Sequence, residues 1–238
     1  MRVLIGIALA LGLAACDTPG ASSEVLSATG PLAPLPTQRT GSPQTEADFR
    51  RVVSQVAPIA ERECRRLRPN TDCDFKIVID ERPGQPPNAF QTLERDGRPV
   101  IGFTSALFAE MRNRDELAFA LAHEAAHHIE GHIPQSQNNA LAGALLGGFL
   151  GAAFGLDQTG VEIAQDIGGN VGARRYSKDF ELEADSLGTR IALLAGFDPL
   201  RGVLYFQRAR DPGDQFLGTH PPNADRIRVV QRTVASRT

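Results

Sequence analysis

The segment His123-Glu124-Ala125-Ala126-His127 combines the residue types that bind and use a zinc ion. Each residue of an α-helix rotates by about 100°, so two histidines four residues apart lie on one face, one turn apart. Both imidazoles are then placed to bind one zinc ion, and Glu124 between them is placed to act as a general base. The pattern H-E-x-x-H therefore predicts metal-assisted hydrolysis if the segment is helical.

A histidine pair on a solvated helix face is the alternative interpretation of this motif. The sequence around it favours a buried helix, because the run from Leu117 to Leu121 is mostly apolar. Asp115 and Glu116 lie near the start of that run, where carboxylates stabilise the helix dipole. Histidine and glutamate side chains are costly to bury without partners, and a metal ion supplies a partner.

A catalytic zinc site needs a third protein ligand, and a later acidic segment provides the candidates. Glu181 and Asp185 lie four residues apart, so they share one helix face. We predict Glu181 as the third ligand and Asp185 as the acceptor for the second ring N–H of a ligand histidine. Glu183 is rotated about 200° from Glu181 and is expected to point elsewhere. By the same angular argument, His128 and His132 are expected to be structural or surface histidines.

Residues 1–15 have the composition of a lipoprotein signal peptide. Arg2 supplies a positive charge, a short apolar stretch follows, and Leu13-Ala14-Ala15-Cys16 resembles the bacterial lipobox. Cleavage before Cys16 and acylation of that residue would anchor the chain to a membrane without a transmembrane helix. An ordinary secretory signal with a chance cysteine is the alternative, and the choice between inner and outer membrane stays open.

Composition divides the rest of the chain into a linker and one domain. Residues 16–46 are rich in Pro, Gly, Ser, Thr and Ala, and we predict a flexible linker there. Residues 47–238 are long enough for a single domain with its own core. The formal net charge of -3 and the lack of a basic tract argue against nucleic acid as a partner. Cys64 and Cys73 form a close pair, which in an oxidising compartment favours a disulfide over two free thiols.

Hydrophobic periodicity predicts a helical domain with three short strands. Strands are expected over 75–79, 88–93 and 99–103. Helices are expected over 45–68, 105–112, 113–132, 178–195, 200–208 and 223–234, with the histidine motif in the helix 113–132 and Glu181 in the helix 178–195.

Residues 140–156 form an apolar segment rich in Gly and Ala. Gly143, Gly147, Gly151 and Gly155 recur at every fourth position, a spacing that permits close helix approach. The segment predicts a small-residue helix packed on the domain or a mobile hairpin near the cleft. Shallow contact with the bilayer is the alternative, because so much glycine makes a poor membrane span.

Further segments resemble the M48 family of zinc metallopeptidases, in its periplasmic lipoprotein branch. H-E-x-x-H followed by E-x-x-x-D is the gluzincin pattern, and the order and spacing of the other segments match over roughly residues 49–230. The matching segments are Asn88-Ala89-Phe90, Asp115-Glu116-Leu117-Ala118, Tyr176-Ser177-Lys178-Asp179-Phe180-Glu181, Ala195-Gly196-Phe197-Asp198-Pro199, His220-Pro221-Pro222 and Arg226-Ile227.

This resemblance implies a mostly helical α+β domain of the zincin type, with a small β-sheet at the edge of the cleft. It implies a metalloendopeptidase with one Zn²⁺ per chain, which hydrolyses peptide bonds of misfolded or stalled envelope proteins in the bacterial periplasm. A substrate peptide would lie as an added strand along the predicted strand 88–93, against Asn88, Ala89 and Phe90.

The same resemblance gives His220 a role at the site without fixing which one. His220 is expected to occupy the open position on zinc as a latch, to stabilise the oxyanion (for which Tyr176 is the other candidate) or to cap the turn before the last helix. A mostly latent zinc-binding chaperone or assembly factor for outer-membrane proteins is therefore the alternative function. A lipoprotein that binds metal only for stability is a further alternative, and an intact Glu124 argues against it.

Overall fold

The computed structural model describes residues 31–37, 41–175, 177–211 and 221–236. The predicted signal peptide, Cys16, Tyr176 and His220 lie outside the described residues. The described chain is mostly helical with one small sheet, which confirms the predicted α+β class. In chain order the elements are α1 (Glu46–Leu67), β1 (Lys76–Asp80), β2 (Ala89–Leu93), β3 (Pro99–Thr104), α2 (Ser105–Glu110), α3 (Arg114–Glu130), α4 (His132–Ala153), α5 (Gln158–Arg175), α6 (Ser177–Leu194), α7 (Pro199–Gly202), a 3₁₀ helix (Val203–Gln207) and α8 (Asn223–Ala235).

The sheet has the order β1-β3-β2, with β3 in the centre. β3 is buried along its whole length and pairs parallel with β1 and antiparallel with β2. β2 lies at an edge of this sheet, because only one of its sides pairs with a described strand. The ring of Phe90 in β2 covers Gly102 in β3 so closely that a Cβ atom there would lie 2.2 Å from Phe90 Cζ. Gly102 thus leaves the space that the Phe90 ring occupies.

Helix α1 begins with a capping box that also ties it to α3. The Thr45 hydroxyl accepts from Asp48 N at 3.1 Å, and Asp48 Oδ2 accepts from Thr45 N at 3.2 Å. Arg114, the first residue of α3, donates from Nε to Asp48 Oδ1 at 2.8 Å. The hydrogen bond with Thr45, followed by that with Arg114, lowers the pKa of Asp48 to about 2.

We expect Asp48→Asn to destabilise the domain by about 1 kcal/mol at neutral pH, since Thr45 N and Arg114 Nε both lose the carboxylate to which they donate. The folded pKa of Asp48 lies below its usual value of 3.8, so this stability is present above pH 3.8 and is lost as the pH falls towards 2. Urea unfolding at pH 7 and pH 3 should show that the difference in the free energy of unfolding between wild type and variant is smaller at pH 3. Glu81→Gln, which removes an exposed carboxylate outside the helices, is the control; a difference that is larger at pH 3 would contradict the assignment.

Helix α3 lies in the centre of the core and ends abruptly. Asn113 Oδ1 caps its first turn by accepting from Glu116 N at 3.0 Å. Gly131 ends the helix in a left-handed conformation with φ of 76°. The prediction that this helix continues to His132 is therefore wrong, because His132 begins α4 on a new axis.

The backbones of α3 and α6 approach each other at the histidine motif. A Cβ atom at Gly188 of α6 would lie 3.0 Å from His123 Cα, so only glycine allows this distance without displacing α3. The close approach fixes the acidic residues one and two turns earlier in α6 relative to His123. Large apolar side chains around the contact, such as Leu121 and Ile191, are fully buried.

A disulfide and an N-terminal contact tie further segments to the domain. Cys64 and Cys73 form a disulfide between the end of α1 and the loop before β1. Gln231 of α8 donates from Nε2 to Ala33 O at 2.7 Å, and Leu35 packs into a small apolar cluster with Val230. The predicted linker 16–46 is described over residues 31–37 and 41–46, and both parts contact the domain, the second through the hydrogen bond from Gln44 N to Phe108 O at 3.1 Å.

Helices α4 and α5 form a hairpin with a seam of small residues. A Cβ atom at Gly143 would lie 2.1 Å from Gly168 O, and one at Gly172 would lie 2.1 Å from Asn139 O. The predicted small-residue helix is present, but its partner α5 was not predicted. The predicted helix 200–208 is also different, since it divides into α7 and a 3₁₀ helix. None of the described helices combines the length and the apolar character needed to cross a bilayer.

Candidate metal centre

Three side chains from two helices meet at one point between α3 and α6. His123 Nε2 and His127 Nε2 are 3.0 Å apart. Glu181 Oε1 lies 3.3 Å from His127 Nε2, and Glu181 Oε2 lies 3.4 Å from His123 Nε2. The structure thus brings together the three residues that the sequence indicated as metal ligands.

These donors fit a zinc ion in both chemistry and spacing. Zinc accepts imidazole nitrogen and carboxylate oxygen, and ligand atoms around a tetrahedral zinc are about 3.3–3.5 Å apart, given bonds of about 2.0–2.2 Å. His123 Nε2 and His127 Nε2 are 3.0 Å apart, and each lies 3.3 to 3.4 Å from a different oxygen of the Glu181 carboxylate, so one atom from each side chain can reach a shared ion. The nitrogens of His123 and His127 are too close to face each other without a cation or proton between them.

His123 is oriented by a buried ion pair. Asp185 Oδ1 lies 2.9 Å from His123 Nδ1, so the carboxylate accepts the Nδ1 proton. In the neutral ring, His123 Nε2 then carries no proton and faces the other members of the ligand cluster, which consists of His123, His127 and Glu181. Arg226 of α8 donates to the same carboxylate from Nε at 2.8 Å and from Nη2 at 2.7 Å. The guanidinium of Arg226 also stacks on the ring of Phe206, 4.0 Å from its centroid. Asp185 is fully buried, as an acceptor for a ligand histidine is expected to be.

The electrostatics of this group favour a positive charge among the ligands. Burial and the Arg226 cation both lower the pKa of His123, but hydrogen bonds to Asp185 and Glu181 outweigh them and raise it to about 9. Burial raises the pKa of Asp185, and Arg226 outweighs that effect and holds it below its usual value. The two carboxylates therefore attract positive charge to this point, and that is the charge zinc supplies.

His127 is oriented by a second histidine, which sequence reasoning missed. His127 Nδ1 lies 2.8 Å from His132 Nδ1, and His132 Nε2 lies 3.1 Å from Glu183 Oε2. Because Glu183 accepts the Nε2 proton of His132, the His132 Nδ1 lone pair accepts the Nδ1 proton of His127. Burial lowers the pKa of His132, which favours this neutral acceptor form. The His132 ring also stacks on Phe180 of α6, with centroids 4.4 Å apart.

His132 does not lie where one continuous helix would place it, because the chain forms two helices separated at Gly131. The left-handed Gly131 redirects the chain, and His132 contacts His127. Gly131, inside the predicted helix 113–132, was the available signal for a helix end. Glu183 does point away from the three ligands, as predicted, but it faces His132. His128 is a structural residue, since its Nε2 lies 2.7 Å from Asp72 O.

We expect His132→Ala to weaken zinc binding by about 10–100-fold, because His127 loses the group that fixes its ring and tautomer. Glu183→Gln should have a smaller effect in the same direction. Competition with a chromophoric chelator measures the dissociation constant directly. His128→Ala is the matched control, because it removes a buried histidine that does not face the ligands. Equal zinc affinities for the His132 and His128 variants would exclude the positioning role.

A cavity of about 580 Å³ opens beside the ligand cluster. Its walls include Glu124 on α3, the edge strand β2 and the first turn of α4. The predicted substrate-binding residues Asn88, Ala89 and Phe90 all line it. Glu124 is partly exposed to this cavity, as a group that meets solvent or substrate has to be.

Two histidines and a glutamate on one helix, with a second glutamate from a facing helix, define a zinc metallopeptidase. The chain belongs to peptidase family M48, whose family model matches residues 43–234. Family membership establishes zinc-dependent peptidase activity as its class. Among curated proteins, no match to this chain was found.

Proposed function

We propose that this metallopeptidase is an endopeptidase of the bacterial periplasm, which cleaves misfolded or stalled envelope proteins and is anchored to a membrane through lipid on Cys16. The observation that carries the substrate class is the open edge of β2 beside the ligand cluster. An extended peptide that adds to a strand edge binds through its main chain, so the interaction accepts many sequences. Such binding requires an unfolded segment, which misfolded proteins expose.

The position of the edge strand is fixed from the sheet side. Thr104 Oγ1 accepts from Asn88 N at 2.9 Å, and Thr104 N donates to Asn88 O at 2.9 Å. Asn88 is therefore tied to β3 by its main chain where the chain enters β2. Phe90, whose ring lies on Gly102, fixes the next part of the cavity wall. A peptide added at the outer edge would lie along this wall, next to Glu124.

The proposed mechanism assigns a role to each side chain of the site. Zinc held by His123, His127 and Glu181 would supply the Lewis acid that polarises the scissile carbonyl and acidifies water. Glu124 accepts a proton as the water oxygen attacks the carbonyl carbon, and it donates that proton to the amine nitrogen as the C–N bond breaks.

The residues behind the ligands keep this arrangement fixed through the reaction. Asp185 accepts the Nδ1 proton of His123 throughout, so the ring does not change tautomer. Arg226 keeps Asp185 ionised by two hydrogen bonds. We assign the second oxyanion donor to His220 or Tyr176, on the basis of the family resemblance.

An internally quenched peptide blocked at both termini tests the endopeptidase assignment. The zinc-loaded protein should cleave it, and N-methylation of alternate amides in the peptide should raise KM because strand addition needs the main-chain N–H groups. Cleavage that requires a free terminus would contradict the proposal. Zinc binding with no cleavage of blocked, free or protein substrates would favour the latent chaperone instead, and His220→Ala would then test the latch.

A further inference from the structure

The hairpin of α4 and α5 carries an apolar face that no described part of the domain covers. Leu146 and Phe149 on α4 and Ile163 and Ile167 on α5 are all exposed, with Phe149 at 70%. The turn between the helices adds Phe154, which is 81% exposed. Soluble domains rarely present apolar patches of this extent unless the patch binds something.

Helical geometry places these side chains on one side of the hairpin. Gly143 and Gly168 face each other across the seam. At 100° per residue, Leu146 and Phe149 lie about 60° and 120° from Gly143 in one rotational sense. Ile167 and Ile163 lie about 100° and 140° from Gly168 in the same sense. The two helices are antiparallel and contact each other at these glycines. Side chains rotated in the same sense from the contact on each helix therefore lie on the same face of the hairpin.

Two acidic residues in the middle of α5 lie away from this apolar face. Glu162 and Asp166 of α5 are rotated about 120° and 160° from Gly168 in the opposite sense. The side chain of Gln165 covers Gly148 on that opposite face, where an added Cβ atom would lie 2.6 Å from Gln165 Nε2. From residue 133 to residue 156 the chain contains no Asp, Glu, Lys or Arg. The outer part of the hairpin is thus an amphipathic pair of helices with one apolar side. Asp157 at its tip accepts a hydrogen bond from Gly160 N at 2.8 Å in the first turn of α5.

We propose that this apolar face lies in the interfacial region of the membrane that carries the Cys16 lipid. The proposal rests on the lipid anchor that is part of the proposed function. The rows of Leu, Phe and Ile project from a pair of helices that ends in an exposed aromatic tip, and a bilayer accepts such a shape without a complementary pocket. Burial of the face about 5–10 Å deep needs apolar residues and no spanning length, which matches the described helices.

The length of chain before the described domain supports the membrane as the occupant. Pro31, where the described chain begins, lies fifteen positions after Cys16. Even fully extended, this stretch reaches at most about 50 Å, so an acylated Cys16 would hold the hairpin at a high local concentration of lipid. Stable membrane attachment usually combines a lipid with a second contact, and the apolar face supplies that second contact.

Membrane contact through the hairpin would also orient the active site. His132 and Ile133 in the first turn of α4 line the cavity beside the ligand cluster. Insertion of the far end of the same helix would therefore hold the cavity at a set height above the membrane surface.

The absence of tryptophan from the chain permits a direct test. The acylated full chain with Phe154→Trp is reconstituted with phosphatidylethanolamine–phosphatidylglycerol vesicles, in which one lipid is brominated near the headgroup end of its acyl chains. We expect a blue shift and loss of about half of the emission, because the indole would lie roughly 5–10 Å deep. Glu162→Trp, on the charged side of the same hairpin, is the control and should keep its emission.

Further experiments distinguish membrane binding by the hairpin from membrane binding by the lipid anchor. Vesicle flotation of the wild-type chain and of Cys16→Ser tests the lipid anchor. If both chains float equally and Cys16 of the wild-type chain carries no lipid, the proposed acylation of Cys16 is wrong. In the Cys16→Ser chain, Leu146→Ser with Phe149→Ser should weaken residual vesicle binding roughly tenfold or more. Unquenched indole emission from an acylated, floating Phe154→Trp protein would overturn the hairpin proposal alone. A blue shift that appears without vesicles at higher protein concentration would assign the apolar face to a second copy of the chain. A blue shift that appears without vesicles on addition of an unfolded substrate would assign the face to substrate. Either result would overturn the membrane proposal.

Discussion

Replacing Glu124 by Gln is expected to lower the rate of peptide hydrolysis by about 10²–10⁴-fold while leaving zinc bound. Glutamine has nearly the same shape, so the helix and its two ligand histidines should be unchanged. Its amide, however, has no basic oxygen that accepts a proton from the attacking water. The measurement is kcat on the blocked, internally quenched peptide, together with zinc content by elemental analysis.

Glu162→Gln is the matched control for this variant. It removes the same type of carboxylate from the exposed side of α5 and should keep wild-type kcat. Glu181→Ala should behave differently from both, because it removes a ligand and lowers zinc content as well as activity. A Glu124→Gln protein that binds zinc and cleaves at the wild-type rate would exclude the proposed role of Glu124.

The second large effect is expected at the buried ion pair behind His123. Arg226→Met should destabilise the metal-free domain by about 3–5 kcal/mol, because the fully buried Asp185 carboxylate would lose both hydrogen bonds from Arg226 and the charge of that guanidinium, and would keep only its contact with His123 Nδ1. Glu181, whose Oε2 lies 3.4 Å from Arg226 Nη1, would lose a neighbouring cation as well. Urea unfolding in the presence of a chelator measures the change in the free energy of unfolding.

A double variant separates stability from ligand orientation at this pair. Asp185→Leu combined with Arg226→Met removes both charges, so it should recover much of the stability lost in Arg226→Met alone. It should still bind zinc poorly, because His123 Nδ1 then has no acceptor. Arg201→Met breaks a half-exposed ion pair with Asp115 and should cost about 1 kcal/mol or less. If Arg226→Met unfolds at the same urea concentration as this control, the ion pair does not stabilise the site as described.

The ligand cluster was predictable from the sequence because its parts obey short-range periodicity. His123 and His127 lie one turn apart on α3, and Glu181 and Asp185 lie one turn apart on α6, so both pairs follow from helix geometry alone. The structure brings the three ligands to one point with Asp185 behind His123, and it places the strand 89–93 at the edge of the cavity. The strands themselves were expected within about one residue of their observed limits.

The residues that sequence reasoning missed depend on long-range contacts or on a break in periodicity. His132 reaches His127 only because Gly131 redirects the chain, and Arg226 reaches Asp185 across 41 positions. Helix α5 was missed because its buried seam is built from Gly168 and Gly172, which carry no apolar side chain and so leave no hydrophobic period. In each case a tertiary contact determines the role of the residue or helix, and the local hydrophobic pattern does not predict that contact.

The most direct test of the zinc site is a zinc titration of the metal-free protein that follows peptide cleavage and bound metal in the same samples. We expect cleavage to be absent with chelator, to rise in proportion to bound zinc and to saturate at one zinc per chain. Glu181→Ala should need a much higher zinc concentration to reach any activity. Cleavage that persists in the fully metal-free protein, or that is unchanged in Glu181→Ala, would contradict a catalytic zinc held by His123, His127 and Glu181.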